Sequence, residues 1–173
     1  MHYIEGFDIE VDVVFNDQLN TVNIDSYDKI VLSPGPGLPK DAGQMFSVIE
    51  KYAKTKPILG VCLGFQALVE FFGGDIYNME TVKHGVAVIS TFDINSRLFK
   101  NTANQFKVGL YHSWAANMQN FPNTLQITGT SQNNIIMAFE HKKLPIAGVQ
   151  FHPESILTEH GKKIVENFIF EFE

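Results

Sequence analysis

Cysteine is nearly missing from this chain: Cys62 stands alone among 173 residues. A lone thiol cannot close an internal disulfide, which fits a reducing compartment. Positive charge is also short, with 13 Lys and Arg against 19 Asp and Glu and a formal net charge of -6. Without a basic run or stripe, nucleic acid and anionic membrane surfaces are poor partners. No apolar stretch approaches the roughly 20 residues that cross a bilayer, and the opening "MHYIEGFDIE" lacks a signal-peptide pattern. Repeats, low-complexity tracts and dividing linkers are absent as well. The expectation is a soluble, cytoplasmic protein of one domain, residues 1–173, long enough to bury a sizeable core.

What is present switches between two hydrophobic periods. "IEVDVVF" (Ile9 to Phe15) and "KIVLS" (Lys29 to Ser33) are β-branched and read as strands. Asp41 is placed to cap a helix through about Lys54, with Met45, Val48, Ile49 and Tyr52 on one face. "PILGVC" reads as a buried strand, followed at once by the helix "LGFQALVEFFG", which Gly73 and Gly74 end. This alternation predicts a parallel α/β core. From Asp75 to Phe139 shorter strands and turns are expected. "PIAGVQF" is again a buried strand, and an amphipathic helix from about Glu159 to Phe170 closes the chain, its apolar face (Ile164, Val165, Phe168, Ile169) directed to the core.

The chemistry concentrates where two of these strands end. In "GVCLGFQAL", Cys62 sits at an abrupt strand-to-helix junction between Gly60 and Gly64. Small neighbours permit the tight turn of a nucleophile elbow, and a helix N-terminus favours a thiolate. Cys62 could equally be a buried core cysteine. In "GVQFHPES", His152 precedes a proline and is biased to extended backbone, so Glu154, two residues on, faces the same side and can orient the imidazole. Taken alone, this pair could merely face water. A thiol and an oriented imidazole at the carboxyl ends of two strands explain each other. Between "KIVLS" and the first helix, the loop "SPGPGLP" combines rigid prolines with glycines that let a ligand approach backbone N–H groups. It lacks the lysine and hydroxyl of a P-loop. His84, His112 and His152 have no close-spaced ligand pattern, so no metal site is assigned.

Together, "SPGPGLP", "GVCLGFQAL", "YHSW" and "GVQFHPESILT" resemble the motifs of the class I (triad) glutamine amidotransferases. The spelling "SPGPG" and the run "HPESILTEHG" favour the small component of anthranilate or aminodeoxychorismate synthase. The resemblance implies a doubly wound, mostly parallel though mixed sheet with helices on both faces. It implies that Cys62 attacks the side-chain amide of L-glutamine, that His152 moves the proton and that Glu154 orients it. Gly35, Pro36, Gly37, Leu63, Gln66, Ser113 and Trp114 would bind substrate, with the N–H groups of Gly35 and Leu63 receiving the oxyanion. Trp114 would serve as a pocket wall or a contact with the synthase subunit. Ammonia would pass to a chorismate-using synthase subunit, which would hold any magnesium, and no cofactor is expected in this chain.

Members of that family open on a strand, a loop and a helix, whereas here "MHYIEGFD" resembles only the tail of that helix. The domain is therefore expected to be N-terminally truncated, leaving sheet-ladder groups unpaired. Leu110 and Val86 stand where basic residues are frequent in the family, which bears on partner contact. Two other functions compete with the amidotransferase subunit. One is a free-standing Cys-His hydrolase of γ-glutamyl amides, and the other is an inactive, truncated interaction module. The residues also leave open which aminated product is made.

Overall fold

The structure is a computed structural model that describes residues 7–173. Its strands are β1 (Ile30–Leu32), β2 (Ile58–Val61), β3 (Ile76–Phe92), β4 (Gln105–Ala116), β5 (Leu125–Ser131), β6 (Ile136–His141) and β7 (Ile146–Val149). Its helices are α1 (Met45–Tyr52), α2 (Leu63–Phe71) and α3 (Gly161–Glu171). All strands join one sheet in the order β1-β2-β7-β6-β5-β3-β4. The mixed α/β architecture with helices agrees with expectation, but the sheet is not mostly parallel: its parallel part is confined to the pairs β1–β2 and β2–β7. The pairings from β7 through β6, β5 and β3 to β4 are antiparallel.

The two near-identical runs "PILGV" and "PIAGV" lie side by side, Ile58 opposite Ile146 and Val61 opposite Val149. Every residue of β2 and β7 is buried. Their neighbours alternate across the sheet, because successive side chains of a strand point to opposite faces. Ile58 and Ile146 enter a core with Ile49 of α1 and Leu68 of α2. Leu59, Ala147 and Val149 enter a second core with Ile164 and Phe168 of α3. Helices therefore cover both faces, which is why these strands contain no polar alternation. Each fully buried aliphatic or aromatic side chain contributes about 1.5–3 kcal/mol, so α3 docks through Ile164 and Phe168, with Val165 buried beside them and Ile169, expected on the same face, only half-buried.

Several elements differ from expectation. Ile9 to Phe15 forms no strand. Val13 and Phe15 are 63% and 68% exposed, and no ladder partner meets this segment among the described residues. High β-propensity stabilises a strand only where an edge accepts its hydrogen bonds. The supposed helix tail, "MHYIEGFD", falls mostly on Met1–Gly6, outside the described residues. Asp41 does not cap α1; it ends a 3-10 turn, Pro39–Asp41, and Gln44 precedes the helix without a side-chain cap. Gly43, at φ 56, turns the chain between them. The stretch after Asp75 holds long strands, β3 of 17 residues and β4 of 12. Polar residues interrupt the apolar pattern of β3, and register shifts let it continue, one beside Gly85 at φ 68.

Candidate active site

The elbow is built by close backbone packing. Cys62 follows β2 and precedes α2 with φ 52 and ψ -97, outside the comfortable regions for a side-chain-bearing residue. Such strain costs about 1–3 kcal/mol and persists only where surroundings enforce it. Here they do. A Cβ on Gly60 would lie 2.5 Å from the Gly64 carbonyl oxygen, and one on Gly64 would lie 2.3 Å from the Leu32 carbonyl oxygen. The two glycines thus press α2 onto β1 and β2, while the Cys62 N–H donates to Val149 of β7. Leu63, as the first residue of α2, has no acceptor within the helix. Neither its N–H nor that of Gly35 reaches a backbone carbonyl of the surrounding turns among the described residues.

The second half of the site is a clamped turn. Ser155 N–H donates to the His152 carbonyl at 3.1 Å, so His152-Pro153-Glu154-Ser155 is a β-turn with proline in its favoured second position. Glu154 Oε1 accepts from His152 Nδ1–H at 2.7 Å. The contact is the one expected, delivered by a turn rather than by an extended segment. The carboxylate only accepts, so Nδ1 keeps its proton, while Nε2 is buried and has no hydrogen-bond partner among the described residues. The clamp comes from β4. Gly109 accepts from His152 N–H and donates to Thr158 Oγ1, whose hydroxyl in turn donates to the His152 carbonyl at 2.6 Å. A side chain at Gly109 would collide with Ser155 Oγ at 2.8 Å.

Burial by itself pulls the pKa of His152 down, but the neighbouring Cys62 sulfur and the Glu154 carboxylate, which accepts from its ring, push it up to about 9. Burial would raise Glu154; the His152 hydrogen bond outweighs it and holds the carboxyl below its usual range. With its pKa above 7, His152 is an imidazolium at neutral pH, paired with the Glu154 carboxylate. Nearby, burial keeps His112 neutral at that pH, and its Nδ1–H donates to the Trp114 carbonyl at 2.8 Å.

A cavity of about 160 Å³ joins these parts, lined by Gly35, Pro36, Gly37, Cys62, Leu63, Gln66, Tyr111, His112, Ser113 and Trp114. All seven residues expected to bind substrate line it, together with the cysteine. Trp114 is half-buried and forms part of its wall. Tyr111 adds a ring packed edge-on to His152 at 4.9 Å. A larger hollow of about 310 Å³, between the 3-10 turns Leu19–Thr21 and Ile24–Ser26 and α1, contains none of these residues. Reading the sequence missed Gln150, Gly109 and Thr158. A glutamine inside an apolar strand end was the one visible signal, because burying a primary amide is costly without partners.

The sequence pattern described as glutamine amidotransferase class-I matches residues 1–172. The chain belongs to this family. Among similar amidotransferase relatives, the putative anthranilate synthase component II of Haemophilus influenzae is 43% identical over 166 residues, covering 96% of this chain and 86% of that protein. Anthranilate synthase component 2 of Pseudomonas aeruginosa is 40% identical over 177 residues, covering 98% and 87%. That of Methanocaldococcus jannaschii is 41% identical over 182 residues, covering 98% and 88%. A solved structure of a putative GMP synthase subunit from Thermoplasma acidophilum superposes with a TM-score of 0.86 at 25% identity, covering 97% of this amidotransferase and 83% of that chain. No helix among the described residues is long and apolar enough to cross a membrane.

Proposed function

We propose that this amidotransferase is a component II subunit that hydrolyses L-glutamine and delivers ammonia to a chorismate-using synthase subunit. The observation that carries the proposal is the strained Cys62, set beside an imidazole that Glu154 and the thiol hold protonated. The Cys62 thiolate attacks the side-chain amide carbon, and the oxyanion rests on the N–H groups of Gly35 and Leu63. His152 Nε2–H gives its proton to the leaving ammonia, which leaves a glutamyl thioester on Cys62. Water then adds as His152 takes its proton, and glutamate departs with the thiolate restored. Gln66, Ser113 and Trp114 hold the amino-acid end of the substrate, and Pro36 and Gly37 close the wall beside it.

Nucleophile, proton carrier and oxyanion donors are all protein groups, so the proposed reaction calls for no cofactor in this chain; magnesium belongs with the synthase subunit. The relatives named anthranilate synthase favour anthranilate over 4-amino-4-deoxychorismate, a choice that the partner subunit makes. The test is ammonia release from glutamine by the 173-residue chain, with and without an anthranilate synthase component I, beside Cys62→Ala. Turnover that rises with the partner and disappears in the variant is expected. Equal turnover without any partner would instead mark a free-standing hydrolase, and none in a folded sample an inactive module.

A further inference from the structure

Gln150 is fully buried, immediately after β7 and two residues before His152. Its backbone N–H donates to Met137, which fixes where its side chain can go. The side-chain amide has two partners from different parts of the fold. Its Nε2 donates to Cys62 Sγ at 3.8 Å, and its Oε1 accepts from Gln66 Nε2 at 3.2 Å. Gln66 Nε2 also donates to the Trp114 carbonyl at 2.9 Å, which accepts from His112 as well. One buried chain of hydrogen bonds therefore runs from the cavity wall on β4, through both glutamines, to the thiol. Apolar side chains of similar volume fill such positions at lower cost, since a buried amide loses its water. An amide offers what they cannot: a donor for an anionic sulfur on one end and an acceptor on the other.

We propose that Gln150 is a positioning residue that donates to the Cys62 thiolate while holding Gln66 in register against the substrate cavity. The inference rests on Cys62 being the nucleophile. Glutamate at this position would present an oxygen or a negative charge to the sulfur. Methionine would fill the space and supply neither hydrogen bond.

The test is the pH profile of Cys62 alkylation by iodoacetamide, which needs no glutamine turnover and reads a single site because the chain has one cysteine. Wild type, Gln150→Met, Gln150→Glu and His152→Ala are compared, with the KM for glutamine measured alongside. A hydrogen bond to a charged group is worth enough to move a titration by about one pH unit. The acid limb for Gln150→Met should therefore move up by that amount, giving about tenfold slower alkylation at pH 6. Gln150→Glu should move it further, and KM should rise in both. Profiles that coincide with wild type, while His152→Ala shifts its own, would overturn the inference and leave the proposed function standing. Wild type that alkylates normally yet releases no ammonia would sink the proposed function instead. Should neither Gln150 variant fold, the side-chain NH₂ resonances of wild-type Gln150 decide: they move when Cys62 is alkylated if the contact exists, and stay fixed if it does not.

Discussion

Gly64→Ala is the substitution that probes the elbow most directly. The added Cβ would lie 2.3 Å from the Leu32 carbonyl oxygen and 2.6 Å from Leu32 Cβ. A carbon–oxygen contact settles near 3.3 Å or beyond, so α2 must retreat from β1 by about 1 Å. Neither side can yield by rotating a side chain, because the oxygen belongs to a strand backbone. Overpacking of this kind costs about 1–3 kcal/mol, and the rigid neighbours place the cost near the upper end. With a urea slope on the order of 2 kcal/mol/M, the unfolding midpoint should fall by about 1.5 M. Cys62 sits two residues before the retreating backbone, and a 1 Å misplacement of a reacting group lowers turnover about 100-fold. Gly73→Ala is the control. It also adds a Cβ, at φ 93, but nothing lies within 4 Å of it. Only the left-handed backbone penalty of about 1–2 kcal/mol applies there, with turnover unchanged. Urea titration and ammonia release on the three proteins decide the matter. If Gly64→Ala loses no more stability than Gly73→Ala and turns over like wild type, the packed elbow does not hold the nucleophile.

Two further predictions concern the Cys62–His152 pair. Cys62→Gly should be at least as stable as Cys62→Ala, because glycine accepts φ 52; elsewhere the swap from alanine to glycine costs up to about 1 kcal/mol. Thermal unfolding of both variants checks this, and a less stable glycine variant would mean that the backbone there is unstrained. His152, pushed up to about 9, should titrate at lower pH in Cys62→Ala, as followed by its imidazole NMR resonances. Its folded pKa lies above the unfolded value of about 6.5. The stability it contributes is therefore complete below that pH and is lost as pH rises through about 9. Wild-type urea midpoints should decline across this window and those of Cys62→Ala should decline less; identical slopes would mean that Cys62 does not raise the His152 pKa.

Much of the site was legible because its determinants are local. Gly60, Cys62 and Gly64 announce a tight strand-to-helix turn within five residues, and the observed backbone at Cys62 is the strained one such a turn requires. His152 and Glu154 stand two residues apart across a proline, and their contact needs nothing distant, although a turn delivers it where an extended segment was expected. "PILGV" and "PIAGV" read as buried on both faces because their composition contains no polar alternation. Chain-local patterns of this kind survive folding when the tertiary environment agrees with them.

The rest depended on what each segment meets. Ile9 to Phe15 has the composition of a strand and remains outside the sheet, since a ladder needs an edge and propensity cannot supply one. β3 continues through polar residues because β4 supplies a partner on which irregular register is tolerated. Gln150 acquires its partners across 84 and 88 residues of chain, from Gln66 and Cys62, and Gly109 grips His152 from another strand. The sequence by itself determined the tight elbow, the buried strands and the candidate reactive groups, because steric preferences act over a few residues. Only the tertiary structure decided which buried polar atoms pair and where the thiol meets its imidazole, because those contacts join elements that chain order leaves far apart.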